Sequence, residues 1–150
     1  MKRSTALLAF GIVAPLLAVG AALFTQYRLG MEPCPWCVLQ RVIFLAIALA
    51  SVIALAARKA GAALALLLSI GGIAAALWQH FVAAASASCN LTLADRIVGT
   101  LSLNTLWPDV FEARASCADA AVKLLGVPYE FWSLALFVLL GAAMLSAMRR

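Results

Sequence analysis

The sequence predicts an all-α membrane protein: a bundle of four transmembrane helices with both termini cytoplasmic and a short membrane-surface helix in its second outer loop. Three observations lead there. Of the 150 residues, 66% are hydrophobic and 11% charged, against about 45–50% and about 25% in soluble domains, and the mean hydropathy is +1.06; the surplus apolar surface must face lipid. The charges leave four long uncharged stretches between them. The basic residues also divide cleanly by side.

Taken in order, 24 uncharged residues lie between Arg3 and Arg28, 16 between Arg41 and Arg58, 35 between Lys59 and Asp95, and 18 between Glu130 and Arg149. A helix needs about 20 residues to cross about 30 Å of hydrocarbon. The first span is placed at about 5–27. Lys2 and Arg3 ahead of an apolar run resemble a signal peptide, but the run is too long for one, so it is read as a retained helix kinked at Pro15. The second stretch is too short alone and must borrow residues before Arg41, giving about 36–57. Arg41 then sits about one turn inside, where its long side chain can snorkel and avoid the roughly 2.5–3.5 kcal/mol of a central arginine. The third span is placed at about 60–83 and the fourth at about 129–148, leaving outer loops at about 28–35 and 84–128 in a single domain, 1–150.

Orientation follows from the positive-inside rule. Lys2, Arg3, Arg58, Lys59, Arg149 and Arg150 flank the spans on one side, while all six acids, Glu32, Asp95, Asp109, Glu112, Asp119 and Glu130, fall on the other. No acid is expected to be buried in a span. The net charge of +5 does not indicate nucleic acid, because no basic cluster exceeds two residues and aromatics do not interleave with them.

All four cysteines fall in or beside the outer loops. Cys34-Pro35-Trp36-Cys37 runs straight into the second span, and Pro35 suits a helical first turn. Cys37 then lies among unpaired amides that stabilise a thiolate, with Arg41 four residues on along the same face. The alternative is a structural disulfide. Cys89 and Cys117 could equally be bonded to each other as a staple, but Ser116-Cys117-Ala118-Asp119 reads as a capping box opening a short helix that ends at Leu124, Leu125 and Gly126. Leu101, Leu103, Leu106, Trp107, Val110 and Phe111 give this loop an apolar side fit for the membrane surface or for ordinary packing. The wide Cys89 to Cys117 spacing argues against zinc. His80, the only histidine, near the outer end of the third span, is either a satisfied interface residue or a functional group at membrane depth. Ser69, Gly71 and Gly72 allow close helix packing.

Two cysteine pairs on one face permit a relay in which an outside dithiol reduces one disulfide and thiolate exchange resets it from the other. For a client near about −120 mV, electron transfer to a glutathione pool about 80 mV lower is uphill by roughly 4 kcal/mol. A lipid-soluble acceptor such as a quinone is the better choice, with Arg41 placed to stabilise negative charge developing on its oxygen.

Cys34-Pro35-Trp36-Cys37-Val38-Leu39-Gln40-Arg41, the Cys89 to Cys117 loop with Leu106-Trp107-Pro108-Asp109-Val110-Phe111, and Leu125-Gly126-Val127-Pro128 to Trp132 together resemble the disulfide bond formation protein B family over nearly the whole chain. The resemblance implies a bacterial inner-membrane, multi-pass protein with its active face periplasmic, which reoxidises a periplasmic DsbA-like thiol oxidase and passes electrons to ubiquinone or menaquinone. It also implies roles for residues. Cys89 is attacked by the reduced partner, Cys117 is released to attack Cys34, and Cys37 meets the quinone, with Arg41 and His80 at the quinone site. Gln40 stands where the best-known member of the family is expected to have an acid, and Pro35-Trp36 fills the motif differently.

Three other readings compete. A vitamin K epoxide reductase-like quinone reductase has its loop cysteines before the membrane Cys-x-x-Cys, whereas here they follow. A small multidrug-type transporter wants an acid buried in a span. A structural membrane protein would hold two permanent disulfides.

Overall fold

The computed structural model describes residues 2–86 and 92–149; Cys89 lies outside them. Helix α1 spans Lys2–Leu29, α2 Pro35–Ala56 and α3 Arg58–Trp78, the last continuing through a π-helical turn, Gln79–Ala83. The outer loop carries α4 (Leu93–Thr100), α5 (Leu103–Leu106) and α6 (Pro108–Phe111), then strands β1 (Lys123–Leu124) and β2 (Val127–Pro128), before α7 (Tyr129–Arg149). Helices α1, α2, α3 with its π turn, and α7 are long and apolar enough to cross a membrane, so the protein is a four-span helical membrane protein. Each long helix packs on two neighbours, α1 and α3 each touching both α2 and α7.

The packing follows from residue spacing. In α1 the buried residues Ser4, Leu8, Gly11, Pro15 and Val19 recur every three or four positions, forming one helical face. Pro15 sits within the helix without ending it. The same spacing in α3 brings the small residues Gly61, Ala65, Ser69, Gly72 and Ala76 to its buried side, which allows close approach without a hydrophobic drive between helices. A Cβ on Gly72 would lie 2.4 Å from the Phe137 ring, and that ring stacks on Phe44 with centroids 4.1 Å apart. Gly71 faces open space. Leu17, Leu49 and Leu67 are more than 60% exposed, as lipid-facing side chains should be.

Ala57 is the whole connection between α2 and α3. Nearby, Arg58 donates to the Ser4 hydroxyl, so the start of α1 and the α2–α3 turn share one end of the bundle. The loop helices and the cysteines described here occupy the opposite end.

The loop departs from expectation in one place. The Ser116 hydroxyl accepts from the Asp119 N–H at 3.1 Å, the first bond of a capping box, and donates to the Asp119 carboxylate at 2.6 Å, yet no helix follows. A turn instead leads into a two-stranded hairpin pairing Leu124 with Val127, whose central residues Leu125 and Gly126 have φ of 54° and 81°. That left-handed pair matches the twist of a tight hairpin and ends helical propagation. The cap is local, and the few residues between it and this turn cannot support the costly nucleus of a helix.

Candidate thiol-redox site

The site begins at the head of α2. Cys34 is its N-cap, extended at φ −85° and ψ 168°, and its sulfur accepts from the Cys37 N–H, the usual cap arrangement with sulfur in place of oxygen. One turn of helix brings the two sulfurs to 2.9 Å, and both are free thiols. The loop supplies a third. The N–H groups of Arg114 and Ala115 both donate to the Pro33 carbonyl, at 2.9 and 3.2 Å, and this anchor beside Cys34 brings in Cys117, which lies with Cys34 in one buried cluster. Cys34, fully buried, therefore lies between two other sulfurs.

The electrostatics divide the loop-side pair. Hydrogen bonds to the Cys117 and Cys37 sulfurs, reinforced by burial, push the Cys34 thiol well above the ordinary thiol range. The Cys34 hydrogen bond, helped by the Trp36 N–H, holds Cys117 below that range, although burial opposes it. A thiolate is thus favoured at Cys117 in direct contact with Cys34, the arrangement that thiol–disulfide exchange requires.

Cys37 faces the other way, into a cavity of about 270 Å³ walled by α1, α2 and α7, by Met31 to Pro33 and by loop residues Ala120, Val122 and Leu124, with Gln79 of the π-helical turn closing one side. Its sulfur accepts from Gln79 Nε2 at 3.2 Å, and the Gln79 amide oxygen accepts in turn from Gln40 at 2.6 Å. Arg41 lines the same cavity. The sequence suggests an arginine head snorkelling to water, but Arg41 is only 5% exposed. Its guanidinium donates to Gln26 Oε1 at 2.8 Å and to the Val110 carbonyl at 2.9 Å. The loop covers it, so protein acceptors replace the water that snorkelling would have sought.

His80 is not among the cavity-lining residues. Its Nδ1 lies 2.5 Å from Glu130 Oε1, and it is Glu130, only 3% exposed, that reaches the cavity. This corrects the expectation that no acid is buried in a span: Glu130 lies in the first turn of α7, folded inward. Gln26, Gln79 and Glu130 carry no motif that singles them out. Their signal was a polar residue in the outermost turn of an apolar span, the same signal that drew attention to His80.

The apolar stripe of the loop is split by the fold. Phe111 is buried with Cys34, Cys117, Trp36, Ala94 and Val98, whereas Leu101, Leu106 and Trp107 are 51%, 76% and 66% exposed.

Four membrane-spanning helices, with a cysteine pair opening one of them and a loop cysteine held against that pair, define a membrane-embedded thiol–disulfide protein. The comparisons give the particular family. The model of the family described as "Disulfide bond formation protein DsbB" matches residues 2–147, and the chain belongs to that family. It is 31% identical to disulfide bond formation protein B of Herminiimonas arsenicoxydans, over 97% of this chain and 95% of the relative. With disulfide bond formation protein B 1 of Pseudomonas savastanoi pv. phaseolicola it shares 38% identity over 92% of this chain and 83% of the relative. No solved structure matches. The protein is a multi-pass bacterial membrane protein of disulfide bond formation.

Proposed function

We propose that this protein is a protein-dithiol:quinone oxidoreductase of the bacterial inner membrane, which reoxidises a periplasmic DsbA-like thioredoxin-fold thiol oxidase and passes the electrons to the membrane quinone pool. The observation that carries the reading is the position of Cys34: one side meets Cys117 from the loop, and the other meets Cys37 at the cavity wall. A disulfide relay needs both contacts at a single sulfur.

The relay would start from a fully oxidised form with Cys89 bonded to Cys117 and Cys34 to Cys37. A thiolate of the reduced partner attacks Cys89, displacing Cys117 as a thiolate, and the partner's second thiol resolves the mixed disulfide. Cys117 attacks Cys34, forming a new S–S bond and releasing the Cys37 thiolate with the electron pair. Cys89 then recovers its bond to Cys117, and Cys34 is freed to close on Cys37 as the pair of electrons leaves.

The cavity suits a quinone ring. It is largely apolar, open to a thiolate at Cys37, and furnished with one cation, two primary amides and a buried carboxyl oxygen that has no partner among the described residues. A bound ubiquinone or menaquinone would supply a two-electron, two-proton acceptor. Arg41 would stabilise negative charge on a quinone oxygen, and Gln40 and Gln79 would hold the Cys37 sulfur against the ring. The basic end of the bundle, with both termini, is then cytoplasmic. The exposed Leu101, Leu106 and Trp107 rest the loop on the periplasmic membrane surface.

The test is quinone reduction by purified protein, given a reduced thioredoxin-fold thiol oxidase and a ubiquinone or menaquinone analogue, beside Cys37→Ser. Turnover that disappears in the variant is expected. Undiminished turnover by Cys37→Ser would overturn the proposal.

A further inference from the structure

Two acids line the cavity, and they differ in kind. Glu32 is exposed, whereas Glu130 is 3% exposed and lies within the bundle. A carboxyl at membrane depth that served only as a salt-bridge partner would be expected to satisfy both its oxygens. Glu130 does not. Oε1 meets His80 Nδ1 at 2.5 Å, while the buried Oε2 has no partner among the described residues. His80 is 31% exposed in the last turn of its span, at the loop end of the bundle, so the pair runs from an imidazole at the membrane boundary to a carboxyl on the wall of a sheltered cavity.

The chemistry proposed above needs such a connection. Oxidising the partner's dithiol releases two protons at the loop surface, and reducing a quinone takes up two in the cavity. The other groups on the wall are poor sources. Arg41 keeps its proton, Gln40 and Gln79 are not acids, the Cys37 sulfur delivers its electrons as a thiolate, and the Tyr129 hydroxyl is paired with Thr25 at 3.2 Å.

We propose that Glu130 is the proton donor to the quinone and that His80 reloads it from the outer surface; the inference rests on the quinone reading. The protonated Glu130 carboxyl gives its proton to a quinone oxygen and is left as a carboxylate. The His80 imidazolium returns a proton through Oε1, and rotation of the carboxyl presents it to the cavity again. Water at the exposed edge of His80 restores the imidazolium. Two passes deliver two protons, while the electron pair comes from the sulfurs as the Cys34–Cys37 bond forms.

The test compares wild type, Glu130→Gln and Glu130→Asp, each purified in full length and supplied with reduced partner and a quinone analogue. Glu130→Gln keeps the shape but lacks the acidic proton. It should lower kcat by about 10²-fold, as losing a general acid does, with KM for the analogue changed by less than about twofold. Glu130→Asp should recover most of the rate, and thiol exchange between partner and cysteines should stay at the wild-type rate in both variants. Infrared difference spectra supply a readout apart from turnover: a protonated-carboxyl stretch that shifts when the analogue binds in wild type and is missing in Glu130→Gln. Unchanged kcat in Glu130→Gln, or a loss lying wholly in KM or shared with thiol exchange, overturns the inference while the quinone reading stands. A wild type that exchanges thiols but reduces no quinone overturns both.

Discussion

The Arg41 guanidinium donates to the main-chain oxygen of Val110 at 2.9 Å, so the charge that faces the Cys37 cavity is fixed partly by the outer loop. The same loop brings Cys117 to Cys34. One segment therefore positions both Cys117 and the cation, and anything that lifts it should disturb both ends of the proposed relay.

Gln26 is the other acceptor for Arg41, at 2.8 Å. Gln26→Ala leaves the buried cation one acceptor short, and a hydrogen bond to a charged group contributes about 1.5–3 kcal/mol. We expect quinone kcat/KM to fall by about ten- to a hundredfold, with thiol exchange between Cys117 and Cys34 unaffected. Steady-state kinetics against a quinone analogue, alongside a stopped-flow assay of exchange, would check this.

Cys117 gives a pH prediction whose sign follows from its partner. Hydrogen bonding from Cys34 holds the Cys117 thiol below its ordinary value of 9.0, so in fully reduced protein its thiolate forms, and alkylation accelerates, at lower pH than for a free thiol. Cys34→Ala removes the donor, and the profile should move up in pH. A wild-type profile at or above the ordinary value would contradict the arrangement.

Two glycines of α3 should respond oppositely to alanine. A Cβ on Gly61 would meet the Ala54 backbone nitrogen at 2.3 Å, whereas one on Gly71 would meet nothing within 4 Å. Backbone cannot move aside as a side chain can, so Gly61→Ala should destabilise by about 1–3 kcal/mol while Gly71→Ala is neutral or slightly stabilising. Thermal unfolding in detergent reads both.

Leu125 holds a left-handed backbone, φ 54°, while 87% exposed. Left-handed geometry costs an ordinary L-residue roughly 1–2 kcal/mol, and asparagine tolerates it better. Leu125→Asn should therefore raise the unfolding midpoint by a few degrees, for about 0.5–1 kcal/mol gained, without loss of activity.

What could be read from the sequence was whatever rests on long runs or fixed spacing. The four uncharged stretches gave the spans because the cost of charge in lipid acts on every residue of a run. Cys34-Pro35-Trp36-Cys37 gave a helix start because a proline in the first turn is a local rule. Local rules also misled: the Ser116 and Asp119 cap is real, but the Leu125-Gly126 turn beyond it decides the conformation. The inward turn of Arg41 and Glu130 was beyond sequence reasoning for a different reason. Whether a polar residue at a span end turns to water or to the bundle depends on what covers it, and the covering groups, Val110 and His80, lie 69 and 50 positions away.

The single-residue joint at Ala57, with Gly61 pressed against the preceding helix, has a bearing on biogenesis. Two spans joined so tightly leave no slack for one to be threaded without the other, so α2 and α3 should enter the bilayer together as one hairpin. Arg41 then need not cross hydrocarbon alone, since a helical partner accompanies it. An epitope or reporter spliced at Ala57 would prise that hairpin apart, and topology mapping of this chain should use its ends instead.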